Sequence, residues 1–127
     1  MLNLSYDNTI FCLLEIVRSF RDKRDWSIYH KPKDLAISIT IEAAELLELF
    51  QWLSDEDIEQ LRSSQKFISR VAEEISDILI YLLSLVDILG IDIVEQVKRK
   101  IKANETKYPP EKFGGTKFKE WLLSKYL

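Results

Sequence analysis

The sequence predicts an all-α protein, a four-helix bundle-type core with short extra helices, and three observations carry that reading. Only three glycines and three prolines punctuate 127 residues, too few for the many turns of an all-β fold. Apolar residues make up 46% of the chain and charged residues 31%, the mixture long amphipathic helices need. The apolar positions recur at helical spacing and do not alternate. The length suits one domain over 1–127, because domains commonly hold roughly 100 to 150 residues and that size buries a core.

The first helix is expected from Tyr6 to Arg21, with Ile10, Phe11, Leu14, Ile16, Val17 and Phe20 as its buried stripe. The single cysteine, Cys12, allows no internal disulfide and no multi-cysteine metal site, and reads as a small buried side chain. After the polar connection "RDKRDWSIYHKPKD", Pro32 suits the opening turn of a second helix carried to Leu53. Ser54, with Asp57 three residues on, caps a short helix through Leu61. A third helix, Gln65 to Leu89, is apolar nearly all round after Ile75 and is expected at the centre, with Gly90 ending it. Asp92 caps a fourth helix to Lys107, which "YPP" stops, since proline disfavours helix in the residue before it. The end, "EKFGGTKFKEWLLSKYL", reads as a turn and a short amphipathic helix whose Phe118, Trp121, Leu122 and Leu123 gain from a partner.

Charge and hydropathy narrow the function classes. A formal net charge of −3 gives no general attraction to nucleic acid. No stretch approaches ~18 uninterrupted apolar residues, and "MLNLSYDNTIF" lacks the basic flank and cleavage site of a signal peptide, so a soluble, cytoplasmic chain without a membrane partner is expected. Residues 34–59 hold eight acids and no Lys or Arg, whereas residues 98–120 hold eight Lys or Arg and three acids. That polarity fits an acidic pocket for cations and a basic lip for anions; it equally fits two solvated faces of opposite sign.

The acids of "ITIEAAELLELFQW" are the most informative feature. At about 100° per residue, Glu42 falls between Leu35 and Leu49 inside the edge of the apolar arc, with Glu45 roughly 60° further round. Glu48, further still, reads as a solvated surface residue. Glu42 and Glu45, three residues apart, point at one place just off the core. "VAEEISDILIYLLSLVDIL" repeats the arrangement: Glu74 and Asp77 lie among Val71, Ile78, Tyr81, Leu85 and Ile88, and Glu73 falls outside that sector as a surface charge. Four carboxylates from two helices at one core form a repulsive cluster that needs cations. All-carboxylate ligation suits Mg²⁺, which keeps waters and substrate phosphate oxygens in its shell. A di-iron bundle uses an E-x-x-H motif, and the only histidine, His30, is far from such spacing.

Lys100, Asn104 and Lys107 share one face of the fourth helix and Tyr108 follows, a set able to hold a polyphosphate. Lys98, Arg99 and Lys102 read as a solvated basic face. No Walker-type G-x-x-x-x-G-K-[ST] is present. Trp26, Trp52 and Tyr81 are the rings best placed to stack on a base, with core packing as the other use, and His30 either hydrogen-bonds a base or phosphate or anchors its loop.

The runs "RDWSIYHKPKDLAISITIEAAELLELFQW", "VAEEISDILIYLLSLVDILGIDI" and "KIKANETKYPPEKFGG" together resemble the MazG-like all-α nucleoside triphosphate pyrophosphohydrolases, closest to their dCTP pyrophosphatase branch. The likeness covers roughly residues 20–115, carried by the acidic pairs, W-x-x-x-H before them, F-Q-W after the first, and K-Y-P at the end. It implies a four-helix core associating as homodimers or homotetramers, and Mg²⁺-dependent hydrolysis of a nucleoside triphosphate, a dCTP-like pyrimidine deoxynucleotide favoured, to the monophosphate and pyrophosphate. Such an activity cleanses the nucleotide pool. On the resemblance, Glu42, Glu45, Glu74 and Asp77 are metal ligands, Trp26, Trp52 and Tyr81 base-pocket residues, and Lys100, Asn104, Lys107 and Tyr108 the phosphate and sugar side. Catalysis is expected from Glu42 and Glu45, with Glu42 orienting and deprotonating a water aimed at the α-phosphorus. Many relatives begin the first motif E-E-x-x-E, where this chain has Ile41; the dCTP-like branch lacks that acid too, so the departure bears on metal number more than on activity. Two other readings stay open: a non-catalytic helical interaction module with acidic pairs in interhelix salt bridges, and a phosphoribosyl-ATP pyrophosphohydrolase preferring a purine.

Overall fold

The computed structural model describes residues 6–127, with side chains from Thr9 onward; residues 1–5, where the signal-peptide reading begins, lie outside the described residues. The described chain is helical throughout, without strands. It forms two compact units, one running to Ile91 and the other from Asp92 to Leu127.

In the first unit α1 spans Tyr6–Asp22, a 3-10 turn Trp26–Ile28, α2 Pro32–Glu48, α3 Asp55–Leu61 and α4 Gln65–Leu89. Asp25 enters the 3-10 turn with φ 52, a left-handed conformation that Asp tolerates better than most residues. Pro32 stands in the first turn of α2, where its missing N–H costs nothing. The α3 cap is a complete capping box: Asp57 N–H donates to Ser54 Oγ at 3.1 Å, and Ser54 N–H donates to Asp57 at 2.9 Å. Gly90 ends α4 at φ 63, with Gly90 N–H on Asp87 O at 3.2 Å and Ile91 N–H on Val86 O at 3.0 Å, the paired bonds of a Schellman turn.

The central packing is α4 against α2, with α1 on another side of α4. Two ring contacts fix the α2–α4 direction as antiparallel: His30, just before α2, meets Tyr81 at 6.2 Å, and Phe50, just after it, meets Phe67 edge-on at 5.6 Å. Leu35 and Leu83 are the buried apolar side chains among the described residues, joined by Ser84, Glu74 and Arg21.

Several expectations need correction. α2 stops at Glu48 and not at Leu53, because the chain tightens there into three-residue turns, Leu49 N–H to Leu46 O, Phe50 N–H to Leu47 O and Leu53 N–H to Phe50 O, that bring Phe50 to Phe67. Cys12 is exposed. Phe11, Ile16 and Phe20 of the expected buried stripe, and Leu47 of α2, are exposed too. One neighbouring helix covers one face of α1, and nothing in the described unit covers the opposite face. α4, although packed against both α2 and α1, also leaves Ile75, Leu79, Ile80 and Leu82 exposed.

In the second unit α5 spans Ile93–Lys107, α6 Pro110–Phe113 and α7 Thr116–Ser124. Asp92 caps α5 by accepting from Glu95 N–H at 3.2 Å. Phe113 sits edge-on to both Tyr108 and Trp121, at 5.2 and 5.1 Å, so Trp121 is half-buried while Phe118, Leu122 and Leu123 stay exposed. Gly114 and Gly115 make the corner: a side chain on Gly114 would meet Pro110 O at 2.6 Å, and Gly115 holds φ 57. No helix among the described residues is long and apolar enough to cross a membrane.

Candidate functional site

The E-x-x-E pair of α2 and the E-x-x-D pair of α4 meet where the two helices pack. One carboxylate oxygen from each of Glu42, Glu45 and Glu74 lies within 4.8 Å of the others. Glu74 is buried, Glu42 half-buried and Glu45 exposed, so the trio runs from the core out to the surface. Asp77 is outside that tight trio, yet its charge reaches both Glu42 and Glu74.

The electrostatics are those of a cluster short of positive charge. The Glu42 carboxyl is pushed up to about 7, first by loss of solvent, then by a hydrogen bond shared with Glu45, then by the charges of Glu45, Asp77 and Glu74. Glu74 is raised as well, by burial and then by Glu45. Glu45 is therefore the member shared by both. Arg70 supplies the positive counterweight: its Nη2 reaches Glu74 Oε1 at 3.3 Å and its Nη1 reaches Glu73 at 2.6 Å. That leaves Glu42 Oε2 and Glu74 Oε2 buried without a hydrogen-bond partner. Buried acceptors are seldom orphaned unless a proton, water or cation completes them. Carboxylate oxygens alone, two of them unpartnered, are the donor set of a hard divalent cation.

Glu73 is exposed and paired with Arg70, and Glu48 is exposed, both as the wheel predicts. The aromatic expectations divide. Trp26, His30 and Tyr81 form one run of rings, Trp26 to His30 at 6.0 Å and His30 to Tyr81 at 6.2 Å, with Phe20 edge-on to Trp26 at 5.6 Å. Tyr81 follows Asp77 by one helical turn, which puts this run on the α4 face that carries the acids. Trp52 lies past the opposite end of α2, 85% exposed. The helix between them is 17 residues, roughly 25 Å, so one chain does not bring Trp52 to Trp26. Lys100, Asn104, Lys107 and Tyr108 belong to the second unit: Asn104 is half-buried, Lys100 and Lys107 are exposed, and Lys107 Nζ lies 5.3 Å from the Tyr108 ring.

Two charged groups escaped the sequence reading. Arg70 was detectable as the residue four before Glu74. Asp87, alone in the apolar run "LLSLVDIL", was a signal that a cation from another element must meet it. Arg18 Nε donates to Asp87 Oδ1 at 2.9 Å and Arg21 Nη2 to Oδ2 at 2.7 Å.

Comparisons with known proteins give the chain its relatives. The chain is 34% identical over 107 residues to dCTP pyrophosphatase 1 of Bos taurus, covering 84% of this chain and 63% of that protein. It is 32% identical over the same length to dCTP pyrophosphatase 1 of Homo sapiens, again over 63% of it. The chain thus spans less than two thirds of the length of these curated relatives. Among solved structures it resembles a pyrophosphatase from Archaeoglobus fulgidus DSM 4304, at TM-score 0.72 and 50% identity, over 86% of this chain and 98% of that one. Residues 37–120, a span that contains all four acids, match the description of the MazG-like family. The chain belongs to the MazG-like family.

Proposed function

We propose that the protein is a divalent-metal-dependent nucleoside triphosphate pyrophosphohydrolase. The observation that carries this is the trio Glu42, Glu45 and Glu74, with two buried oxygens that no protein donor satisfies. Glu45, Glu74 and Asp77 would hold Mg²⁺, with Glu42 beside it. Bound there, the ion neutralises triphosphate oxygens and raises the electrophilicity of phosphorus. Glu42 orients a water toward the α-phosphorus and accepts its proton, the water oxygen bonds to phosphorus, and the bond to the bridging oxygen breaks so that pyrophosphate leaves. Lys100, Asn104, Lys107 and Tyr108 offer the donors a polyphosphate and sugar require. dCTP or a related pyrimidine deoxynucleotide is the favoured substrate, supported by the named activity of the bovine and human relatives and by the rings around His30. Cleansing of the cytoplasmic nucleotide pool is the corresponding role.

The protein acts as a homodimer or homotetramer in this proposal. The support is the uncovered apolar surface: Leu13, Ile16, Val17, Phe20, Leu79 and Ile80 line a groove of about 340 Å³ between α1 and α4, and contiguous exposed apolar surface marks a place where another chain can pack. Sedimentation analysis reads the oligomeric state directly.

Pyrophosphate release across a nucleotide panel, with and without Mg²⁺, tests the activity. Cleavage of dCTP that requires Mg²⁺ and disappears in Glu45→Gln and Asp77→Asn is expected. No cleavage of any nucleotide, with both variants folded and unchanged or raised in stability, hands the acidic pairs to a non-catalytic interaction module. A purine preference points to the phosphoribosyl-ATP type of enzyme.

A further inference from the structure

Five of the six arginines, Arg18, Arg21, Arg62, Arg70 and Arg99, reach a carboxylate. Arg24, in the connection after α1, is the exception among the described residues, and it is nevertheless fixed at two points. Its guanidinium carbon lies 3.7 Å over the Phe20 ring, and its Nη1 donates to Phe20 O at 3.0 Å. Stacking on an aromatic face and capping a last-turn carbonyl hold a side chain that water would otherwise leave loose. The fork formed by Nε and Nη2 is left over, with no acceptor for it among the described residues. The backbone is bent to put Arg24 there. Asp25 takes φ 52, the one left-handed non-glycine residue described, a conformation that persists only where its surroundings hold it. The residues on either side of that bend meet the same ring: Trp26 is edge-on to Phe20 at 5.6 Å, and the Arg24 guanidinium lies 5.9 Å from the Trp26 ring. Trp26 is 39% exposed, and from it the rings run through His30 to Tyr81, one helical turn from Asp77.

A guanidinium offers donors only, and its fork suits two acceptors side by side. We propose that Arg24 is a specificity-determining residue: its Nε and Nη2 donate to two adjacent acceptors on the edge of a base stacked at Trp26. Among the pyrimidines cytosine has that pair, O2 and N3. Uracil and thymine carry N3–H beside O2, which sets donor against donor and rejects them. The inference rests on the nucleotide reading above and adds to it the group that selects the base.

The test compares kcat/KM for dCTP and dUTP, which differ only at N3 and the C4 substituent, in the full chain with Mg²⁺. Arg24→Lys keeps the charge and can still cover Phe20, but it has no fork. The dCTP-to-dUTP ratio is expected to fall by about 30-fold, the discrimination of one bidentate pair on a base edge, with the change in KM rather than kcat. A residue that only caps α1 and covers Phe20 would lower both nucleotides in proportion, together with the urea midpoint. A ratio unchanged within about threefold overturns the proposal, as does a wild type that cleaves the two nucleotides equally well. The second arm needs neither the variant nor cleavage: calorimetric titration of the wild type with dCMP and dUMP in Mg²⁺ is expected to show tighter dCMP, and equal affinities overturn the proposal whether or not Arg24→Lys folds. If the wild type cleaves no triphosphate yet binds dCMP over dUMP, and Arg24→Lys erases that preference, the hydrolase reading fails and the role of Arg24 stands. If it binds neither monophosphate, both fail.

Discussion

The two halves of α4 each carry an acid among apolar neighbours and treat it in opposite ways. Asp87, near the C-terminal end, has two guanidiniums, and they hold its carboxyl below the usual range, the hydrogen bond from Arg18 most of all. Glu74, three and a half turns earlier, shares one half-exposed arginine with Glu73 and faces Glu42, Glu45 and Asp77. Its carboxyl is raised. The same helix in the same unit thus satisfies one acid completely and leaves the other in a negative surplus. A chain that meets Asp87 with two cations from α1 has the means to pair its acids; the surplus at Glu74 is therefore informative, and it is what the proposed divalent cation would relieve.

The largest expected effect comes from breaking each end in turn. Glu45→Gln removes the carboxylate shared by Glu42 and Glu74, and Mg²⁺-supported nucleotide hydrolysis is expected to fall by at least ~100-fold, on the scale seen when one electrostatic stabiliser is removed. Without metal, its unfolding midpoint in urea stays put or rises, because repulsion is relieved. Asp87→Asn gives the opposite signature. It strands Arg21, whose side chain is 8% exposed, and is expected to destabilise the fold by about 3 kcal/mol in the same urea titration. If Glu45→Gln proved the destabilised variant and Asp87→Asn the neutral one, the contrast between the two ends would be lost.

The contrast also extends to pH. Glu42 keeps its proton up to about 7 in the folded protein and releases it near its ordinary 4.5 when unfolded. Between those values the folded state binds more protons, so metal-free stability falls as pH rises across the window. Asp87 has the other sign: its lowered carboxyl contributes stability above its unfolded value, and that contribution is lost as pH falls through the folded one. The neutral limb of a Tm-against-pH curve therefore carries Glu42, with Glu74 raised in the same sense and His30 lowered in the opposite one, and the acid limb carries Asp87. Glu42→Gln is expected to make the neutral limb shallower and to leave the acid limb as it is. Added Mg²⁺ favours ionised carboxylates, so it raises Tm more at pH 8 than at pH 5. A neutral limb unchanged in Glu42→Gln would remove this assignment.

What the sequence made legible follows from the range of each interaction. The caps at Ser54, Gly90 and Asp92 are bonds between residues three to five apart, and they stand where local pattern places them. The convergence of Glu42, Glu45 and Glu74 was also readable, since helical spacing fixes which acids share a face and the apolar arcs fix which faces meet. The pairing of Arg21 with Asp87 spans 66 residues, and no local spacing encodes which arginine meets that acid. The end of α2 was missed for a related reason. Nothing in "LFQWL" breaks a helix; the contact of Phe50 with Phe67 tightens the last turn. Ile16, Ile75 and Cys12 are apolar or small without being covered in the described unit, because periodicity reveals that a face is apolar and not what lies against it.

The smallest expected effect separates two meanings of Arg70. Its side chain is 52% exposed, so Arg70→Gln is expected to leave stability nearly unchanged. If Arg70 is a resident counter-charge for the acids around it, its loss deepens the negative potential around Glu74, and the Mg²⁺ concentration giving half-maximal hydrolysis drops by roughly threefold. If it chiefly aims Glu74, the same change leaves that carboxylate misdirected and half-maximal Mg²⁺ rises. The 3.3 Å contact is longer than the 2.6 Å one Arg70 makes with Glu73, and a guanidinium committed more closely to the surface acid is poorly placed to steer the buried one. A metal titration of activity in Arg70→Gln should therefore shift to lower Mg²⁺, and a shift to higher Mg²⁺ would mean that the acidic end of α4, like the Asp87 end, is held in place by its own arginine.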